Sequence, residues 1–231
     1  MQNIVTIIFF IIIICFYLTI ETKYEKTTSS LKDDGFLILK KTSNAKVLKY
    51  LPPNYQFLDY RYSIKGCSLS TFHRDVTSSQ YVFNTKNPVY TLIRYYNKGP
   101  HISLCPGSHL TTPFLFSRPK IINGDIGDCY LFNCDVIHSG ALNTYGNKRY
   151  VQQFKIAHKD DMEKLQSLNG IESKTTNNCN INYYYEIISR KLSLLFPFLI
   201  NHFFTKYLQE DDGSFINKII IKIYGRAFLN K

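Results

Sequence analysis

The sequence predicts a mainly β fold of the sandwich or jelly-roll type, with flanking helices. Between residues 35 and 158, short runs of β-forming residues alternate with turn residues. An uncharged apolar stretch precedes this region, and a helical pattern follows it. Hydrophobic residues make up 45% of the 231 residues, which supports one substantial core and excludes an intrinsically disordered chain.

The N-terminal segment, residues 1–20, has no charged side chain, and Ile4 to Ile20 are nearly all aliphatic or aromatic. No basic residue precedes this stretch and no small-residue cleavage site follows it. A transmembrane helix is therefore predicted rather than a signal peptide. Lys23, Lys26 and Lys32 follow the segment. The positive-inside tendency then predicts a single-pass membrane protein whose folded part lies on the cytoplasmic side.

The charge bears on the choice of binding partner, and the cysteine content bears on the redox compartment. The formal net charge is +11, which suits an anionic partner, but the basic residues are scattered and form no run of five or more. This pattern argues against a dedicated nucleic-acid site. The six cysteines form no C-x-x-C pair, so we expect free thiols in a reducing compartment.

The β-rich region is predicted to span residues 34–158, after a polar tether at residues 21–33. Its first strand is Gly35 to Leu39, an apolar run behind two aspartates. Further strands are predicted at Gln80 to Phe83, Val89 to Tyr96, Cys129 to Phe132 and Tyr150 to Ile156. The turn residues Pro106-Gly107, Asn123-Gly124 and Tyr145-Gly146-Asn147 fall between strands.

The C-terminal third divides into a polar loop or insertion at residues 159–182 and a helical region at residues 183–231. The helical stripe consists of Ile188, Leu192, Leu195, Leu199, Phe203 and Tyr207, and Pro197 interrupts it. Two interpretations stay open. The stripe packs on the open side of the β domain, or it lies on the same membrane as the N-terminal helix.

Three residues are candidate ligands of a metal ion. His73 and Asp75 form an H-x-D pair, and residues at i and i+2 of a strand point to the same face. His138 lies 63 residues after Asp75 and supplies a third candidate ligand. Two imidazoles and one carboxylate form the facial triad that binds iron(II) and leaves coordination positions open.

Several motifs surround these residues in a recognisable order. They are Asp33-Asp34-Gly35-Phe36, His73-Arg74-Asp75, Pro106-Gly107-Ser108-His109, Gly127-Asp128 and His138-Ser139-Gly140-Ala141-Leu142-Asn143, followed by Arg149. Together they resemble the phytanoyl-CoA dioxygenase family of iron(II)- and 2-oxoglutarate-dependent oxygenases. The resemblance covers about residues 33–158.

The resemblance implies a double-stranded β-helix, a form of jelly roll, with the metal at its mouth. It implies that His73, Asp75 and His138 bind Fe(2+), and that Arg149 pairs with the 5-carboxylate of 2-oxoglutarate. Ser139 and Asn143 are expected to add hydrogen bonds to this cosubstrate. O2 is the co-reactant, and the substrate is expected to be a small molecule or a lipid. Because Asp75 is present, hydroxylation is favoured over halogenation.

Two alternatives stay open. The first is a nucleic-acid or protein demethylase of the same superfamily. Such nucleic-acid enzymes usually have a second arginine six residues after the first, and that position is Lys155 here. The second is a catalytically silent metal-binding β-helix scaffold.

Overall fold

Two β-sheets form the framework of the molecule. The computed structural model describes residues 2–26, 28–66, 71–75, 78–110, 118–142, 149–177 and 183–195. The strands described are β1 (Thr22–Lys23), β2 (Phe36–Leu39), β3 (Tyr55–Gly66), β4 (Tyr90–Tyr95), β5 (Gly99–Leu104), β6 (Lys120–Gly124), β7 (Cys129–Asn133), β8 (His138–Gly140), β9 (Arg149–His158) and β10 (Ile171–Asn177). This mostly-sheet architecture confirms the mainly β, sandwich-like prediction.

The larger sheet has six strands in the order β10-β3-β9-β4-β7-β2. All neighbouring pairs are antiparallel except β10 and β3, which are parallel. The smaller sheet has the order β1-β6-β5-β8, and only β1 and β6 are parallel in it. The chain leaves the larger sheet at the end of β7 and enters the smaller sheet at β8 only a few residues later.

The core lies between the two sheets, because alternate residues of each strand point inward. Its buried members come from both sheets and are Phe36, Ile93, Tyr95, Ile102, Leu104, Ile122, Tyr130, Phe132, Val136 and Val151. The opposite face of the larger sheet is also covered. There Leu92, Leu131 and Ile156 pack with Val47 and Leu51, which belong to the segment after β2.

Four α-helices lie within the described ranges: α1 (Gln2–Leu18), α2 (Asn44–Val47), α3 (Gln80–Phe83) and α4 (Tyr183–Leu195). Short 3-10 helices occupy Leu48–Tyr50, Ser108–Leu110, Lys159–Asp161 and Glu163–Leu168. The prediction of a strand at Gln80 to Phe83 is wrong, because these residues form α3. The backbone N–H of Gln80 donates to a carboxylate oxygen of Asp135 at 3.0 Å, and Asn84, with φ of 49°, ends the helix. This long-range cap overrides the local β propensity.

Helix α1 corresponds to the predicted transmembrane segment. It spans 17 residues, and side chains such as Ile4, Phe9 and Ile14 are 62%, 60% and 54% exposed. No helix in the described part of the chain is long and apolar enough to cross a membrane. The predicted transmembrane helix is therefore not confirmed.

Both segments flanking the β-rich region contain additional structure. The predicted tether at residues 21–33 includes β1, and the predicted loop at residues 159–182 includes β10 along β3. In the C-terminal region, α4 is helical as predicted, and residues 196–231 lie outside the described residues. Ile188 and Leu192 of the predicted stripe are exposed, whereas Arg190 and Leu194 are buried. The side of α4 that packs on the β domain is therefore not the predicted stripe.

Candidate metal centre

His73 and His138 are held side by side by their own backbones. The N–H of each residue donates to the carbonyl of the other at 2.9 Å, which makes them a hydrogen-bonded antiparallel pair. Directly opposite residues in such a pair project to the same face, and the two imidazole ring centroids are 4.5 Å apart. The segment that contains His73 thus extends the smaller sheet next to β8.

The same backbone orients both imidazoles. Nδ1 of His73 lies 2.8 Å from the carbonyl of Thr71, and Nδ1 of His138 lies 2.9 Å from the carbonyl of Val136. A carbonyl only accepts hydrogen bonds, so each Nδ1 bears the hydrogen and each Nε2 presents its lone pair. This arrangement is typical of histidines that bind metals through Nε2.

Asp75 completes the group. Its backbone N–H donates to the carbonyl of Cys134 at 2.9 Å, which places the side chain beside β8. Asp75 Oδ1 lies 3.6 Å from Nε2 of His138 and 3.9 Å from Nε2 of His73. Among the described residues, these three side chains form the group that could hold a metal ion. The three ligand atoms lie within 4.8 Å of one another, whereas cis ligands about 2.1 Å from a metal are about 3 Å apart, so the widest pair needs to close by up to about 1.8 Å.

The second oxygen of Asp75 faces away from the histidines. Lys155 Nζ donates to Oδ2 at 2.6 Å, and the Thr91 hydroxyl also donates to it. Thr91 on β4 and Lys155 on β9 are directly paired across the strands, so their side chains meet on one face. Neither residue was predicted from the sequence to belong to the metal centre. A lysine within the strand pattern of Tyr150 to Ile156 was the available signal.

The protonation states of Asp75 and His138 favour metal binding. Burial alone raises the pKa of Asp75, but the Lys155 ammonium, together with His138 and His73, lowers that pKa well below its ordinary value. Burial lowers the pKa of His138 to about 4, although Asp75 opposes this shift. Asp75 is thus anionic and His138 neutral at pH 7, which are the forms that ligate metals.

Arg149 begins β9 at the far end from Lys155. Arg149, Val151, Gln153 and Lys155 alternate along the same face of the strand, and Arg149 is 7% exposed. Its Nη2 donates to the carbonyl of Ala141 at 2.8 Å, and the guanidinium lies directly against Gly140. The structure therefore brings Arg149 to the chain segment just after His138.

Of the other two predicted cosubstrate residues, Ser139 lies within the described part of the chain. Ser139 is fully buried, and its hydroxyl accepts from Nη1 of Arg190 at 2.8 Å and donates to the Gly140 carbonyl at 3.1 Å. Arg190 comes from α4 and also forms an ion pair with Glu21 at 2.6 Å. Asn143 lies outside the described residues. The Ser139 hydroxyl is thus engaged with α4, a contact that the sequence did not predict.

The metal group has one accessible side. The His73 side chain is 44% exposed, whereas those of His138 and Asp75 are 5% and 6% exposed. Phe132 packs against His138 with ring centroids 4.5 Å apart and covers the inner side. A small molecule would therefore reach the three ligand atoms from the side of His73.

The fold of this chain is only weakly similar to those of solved structures. No protein-family model and no curated protein matches the sequence. HygX from Streptomyces hygroscopicus, solved with nickel and 2-oxoglutarate, aligns with a TM-score of 0.41 and 12% identity over 56% of this chain and 84% of HygX. SnoN, a non-heme alpha ketoglutarate dependent epimerase from nogalamycin biosynthesis, gives 0.39 and 11% over 55% of this chain and 79% of SnoN. The non-heme monooxygenase ThoJ in its nickel complex gives 0.37 and 14%, and the chain spans only 49% of its length.

Proposed function

We propose that this protein is an iron(II)- and 2-oxoglutarate-dependent dioxygenase that hydroxylates a small-molecule or lipid-like substrate. The observation behind the proposal is the convergence of two Nε2 lone pairs and one carboxylate oxygen, with both Nδ1 hydrogens fixed on backbone carbonyls. This ligand set leaves positions open for a cosubstrate and oxygen, unlike a closed structural metal site.

In this proposal each residue of the chain has a defined task. His73, His138 and Asp75 hold the iron, and Asp75 contributes the single negative charge among the ligands. Arg149 binds the 5-carboxylate of 2-oxoglutarate, because a buried guanidinium gives that carboxylate a bidentate, charge-assisted partner. The bound iron would supply the activation of O2 that is coupled to oxidative decarboxylation of 2-oxoglutarate. Phe132, packed on His138, keeps water from that ligand.

The demethylase alternative has less support. It was suggested by the net charge of +11, and Lys155 retains only the sign of the charge of the second arginine that nucleic-acid demethylases usually have. The Lys155 ammonium is instead fully buried against Asp75, six residues along β9 from Arg149, which corresponds to about 20 Å in an extended strand. A hydroxylase that acts on small molecules or lipids therefore remains our proposal.

We further propose that the enzyme works at a membrane surface. The support is α1, whose apolar side chains from Ile4 to Ile14 are 46% to 62% exposed in the isolated chain. An exposed apolar surface of this kind is typical of an element that binds lipid or another apolar partner.

Turnover of 2-oxoglutarate tests the proposed function. Iron(II)-loaded protein is incubated with 2-oxoglutarate and O2, and succinate is measured with and without a panel of acyl and lipid-like compounds. We expect a basal succinate release that a true substrate increases, and a loss of this release in Asp75→Ala. Iron binding without any succinate release would instead identify a metal-binding scaffold.

A further inference from the structure

Lys155 is an unusual residue for the interior of a sheet. Its side chain is 0% exposed, in the middle of β9 and beside buried Tyr60, Thr91 and Cys134. Burying an ammonium costs several kcal/mol in desolvation, and a buried ion pair is often no more stable than apolar side chains of similar volume. Fold stability alone is therefore a weak reason for a lysine here.

The position of its amine suggests a more specific role. The two oxygens of Asp75 have different surroundings: Oδ1 faces Nε2 of both histidines, whereas Oδ2 faces only hydrogen-bond donors. The donors to Oδ2 are Lys155 Nζ at 2.6 Å, the Thr91 hydroxyl and, more distantly, the Gln153 amide at 3.4 Å. Lys155 Nζ also donates to the Thr91 hydroxyl at 2.9 Å, so the donors are themselves connected.

We propose that Lys155, with Thr91, is a positioning residue that keeps Asp75 a one-oxygen metal ligand. With Oδ2 held by an ammonium and a hydroxyl, only Oδ1 is available to a metal beside His73 and His138. A carboxylate without such restraint can bind a metal through both oxygens and thereby occupy a second coordination position. Lys155 would thus preserve the third open position that a bidentate cosubstrate and oxygen need together.

The inference rests on the metal centre of the proposed function, and its test must not depend on turnover. Mn²⁺ serves as the probe, because its bound waters increase the longitudinal relaxation rate of water protons. The full-length protein is loaded with Mn²⁺ without 2-oxoglutarate, and the relaxation enhancement per bound ion is measured. Three protein ligands in six-coordinate geometry leave about three water positions.

The main variant is Lys155→Met, which keeps an unbranched side chain of similar length and removes the charge. We expect the enhancement per bound Mn²⁺ to fall by about one third, from three bound waters to two, because Asp75 then takes a second position. Lys155→Arg retains a cationic donor and should restore most of the enhancement. Lys40→Met is the matched control, because Lys40 forms a lysine–aspartate pair with Asp128 at 2.8 Å outside the metal group. It should leave the enhancement unchanged.

Thr91→Val provides a second route if Lys155→Met does not fold. This near-isosteric change removes one donor to Oδ2 without leaving an unpaired buried charge, and we expect a smaller fall in the same direction. An unchanged enhancement in both variants, or in Thr91→Val alone when Lys155→Met is unfolded, overturns the positioning role while leaving the metal centre intact. A wild-type protein that binds no Mn²⁺ at this site overturns the metal centre and this inference together.

Discussion

Gly140 and Arg149 fit together so closely that a side chain at residue 140 would displace the guanidinium. A Cβ at position 140 would lie 1.8 Å from Nη1 of Arg149 and 2.5 Å from its Cζ, far inside van der Waals contact. Gly140 directly follows the strand residues His138 and Ser139, whereas Arg149 opens β9. The position of the guanidinium therefore depends on the absence of a side chain at residue 140.

Gly140→Ala should displace the Arg149 guanidinium and weaken 2-oxoglutarate binding without changing metal affinity. The cost in folding free energy should be small, because the clash involves the far end of a flexible side chain. Isothermal titration of metal-loaded protein measures the cosubstrate affinity. In an Arg149→Ala background, Gly140→Ala should have almost no further effect. Independent, additive losses from the two changes would contradict this account.

Asp75→Ala should cost stability as well as metal binding. Removing the carboxylate leaves the Lys155 ammonium buried and unpaired, which should destabilise the metal-free protein by about 3–5 kcal/mol. Asp75→Leu combined with Lys155→Met should recover most of this free energy while still binding no metal. Urea unfolding of the metal-free proteins gives the free energies. A double variant as unstable as Asp75→Ala would mean that the buried charge is not the cause.

His138 should stay neutral in the metal-free protein down to pH about 4. Its folded-state pKa is below the ordinary value of 6.5, chiefly because of burial, so the unfolded chain binds the proton first as pH falls. The contribution of His138 to the free energy of unfolding should therefore decrease between pH 6.5 and about 4, by about 3 kcal/mol in total, and stay constant below that pH.

The imidazole C–H resonances of His138 report this titration by NMR. His101 and His109 also have lowered pKa values because of burial, so the stability effect of His138 is taken as the difference between the wild type and His138→Gln. Protonation of His138 near pH 6.5 would contradict the buried environment assigned to it.

Deletion of residues 2–18 tests the proposed membrane contact. The deletion removes the exposed apolar helix α1 but spares the β1 pairing with β6 and the Glu21–Arg190 ion pair. We expect the full-length protein to sediment with phospholipid vesicles and the deletion variant to remain in the supernatant, with Mn²⁺ binding unchanged. A deletion variant that still sediments would shift the contact to other surfaces, such as Ile188 and Leu192 of α4.

The His73–Asp75 pair was predictable because its information is local and chemical. His73 and Asp75 are two residues apart, and the i, i+2 geometry of extended chain brings their side chains to one face. The strands at β2, β4, β7 and β9 were predictable from apolar and β-branched runs bounded by turns.

The features that escaped prediction depend on contacts between distant parts of the chain. Asp135 caps α3 from 55 residues away, and Lys155 bonds Asp75 across 80 residues, neither of which leaves a local pattern. Helix α1 is a separate case: it was predicted to span a membrane from its apolar composition, but no described helix, including this one of 17 residues, is long and apolar enough to do so. The close fit of Gly140 and Arg149 depends on how β8 and the start of β9 lie in space, which the sequence does not show.

The central claim is that this site binds 2-oxoglutarate through both a metal and Arg149, and titration of 2-oxoglutarate into the anaerobic iron(II)-loaded protein tests it most directly. We expect one cosubstrate per chain, with binding lost when the metal is removed. Arg149→Ala should weaken it by roughly 2–5 kcal/mol, or about 30-fold to several thousand-fold, and Arg149→Lys should recover only part. Iron affinity should hardly change in either variant. Binding that is independent of both iron and Arg149, or no binding at all, would contradict the account.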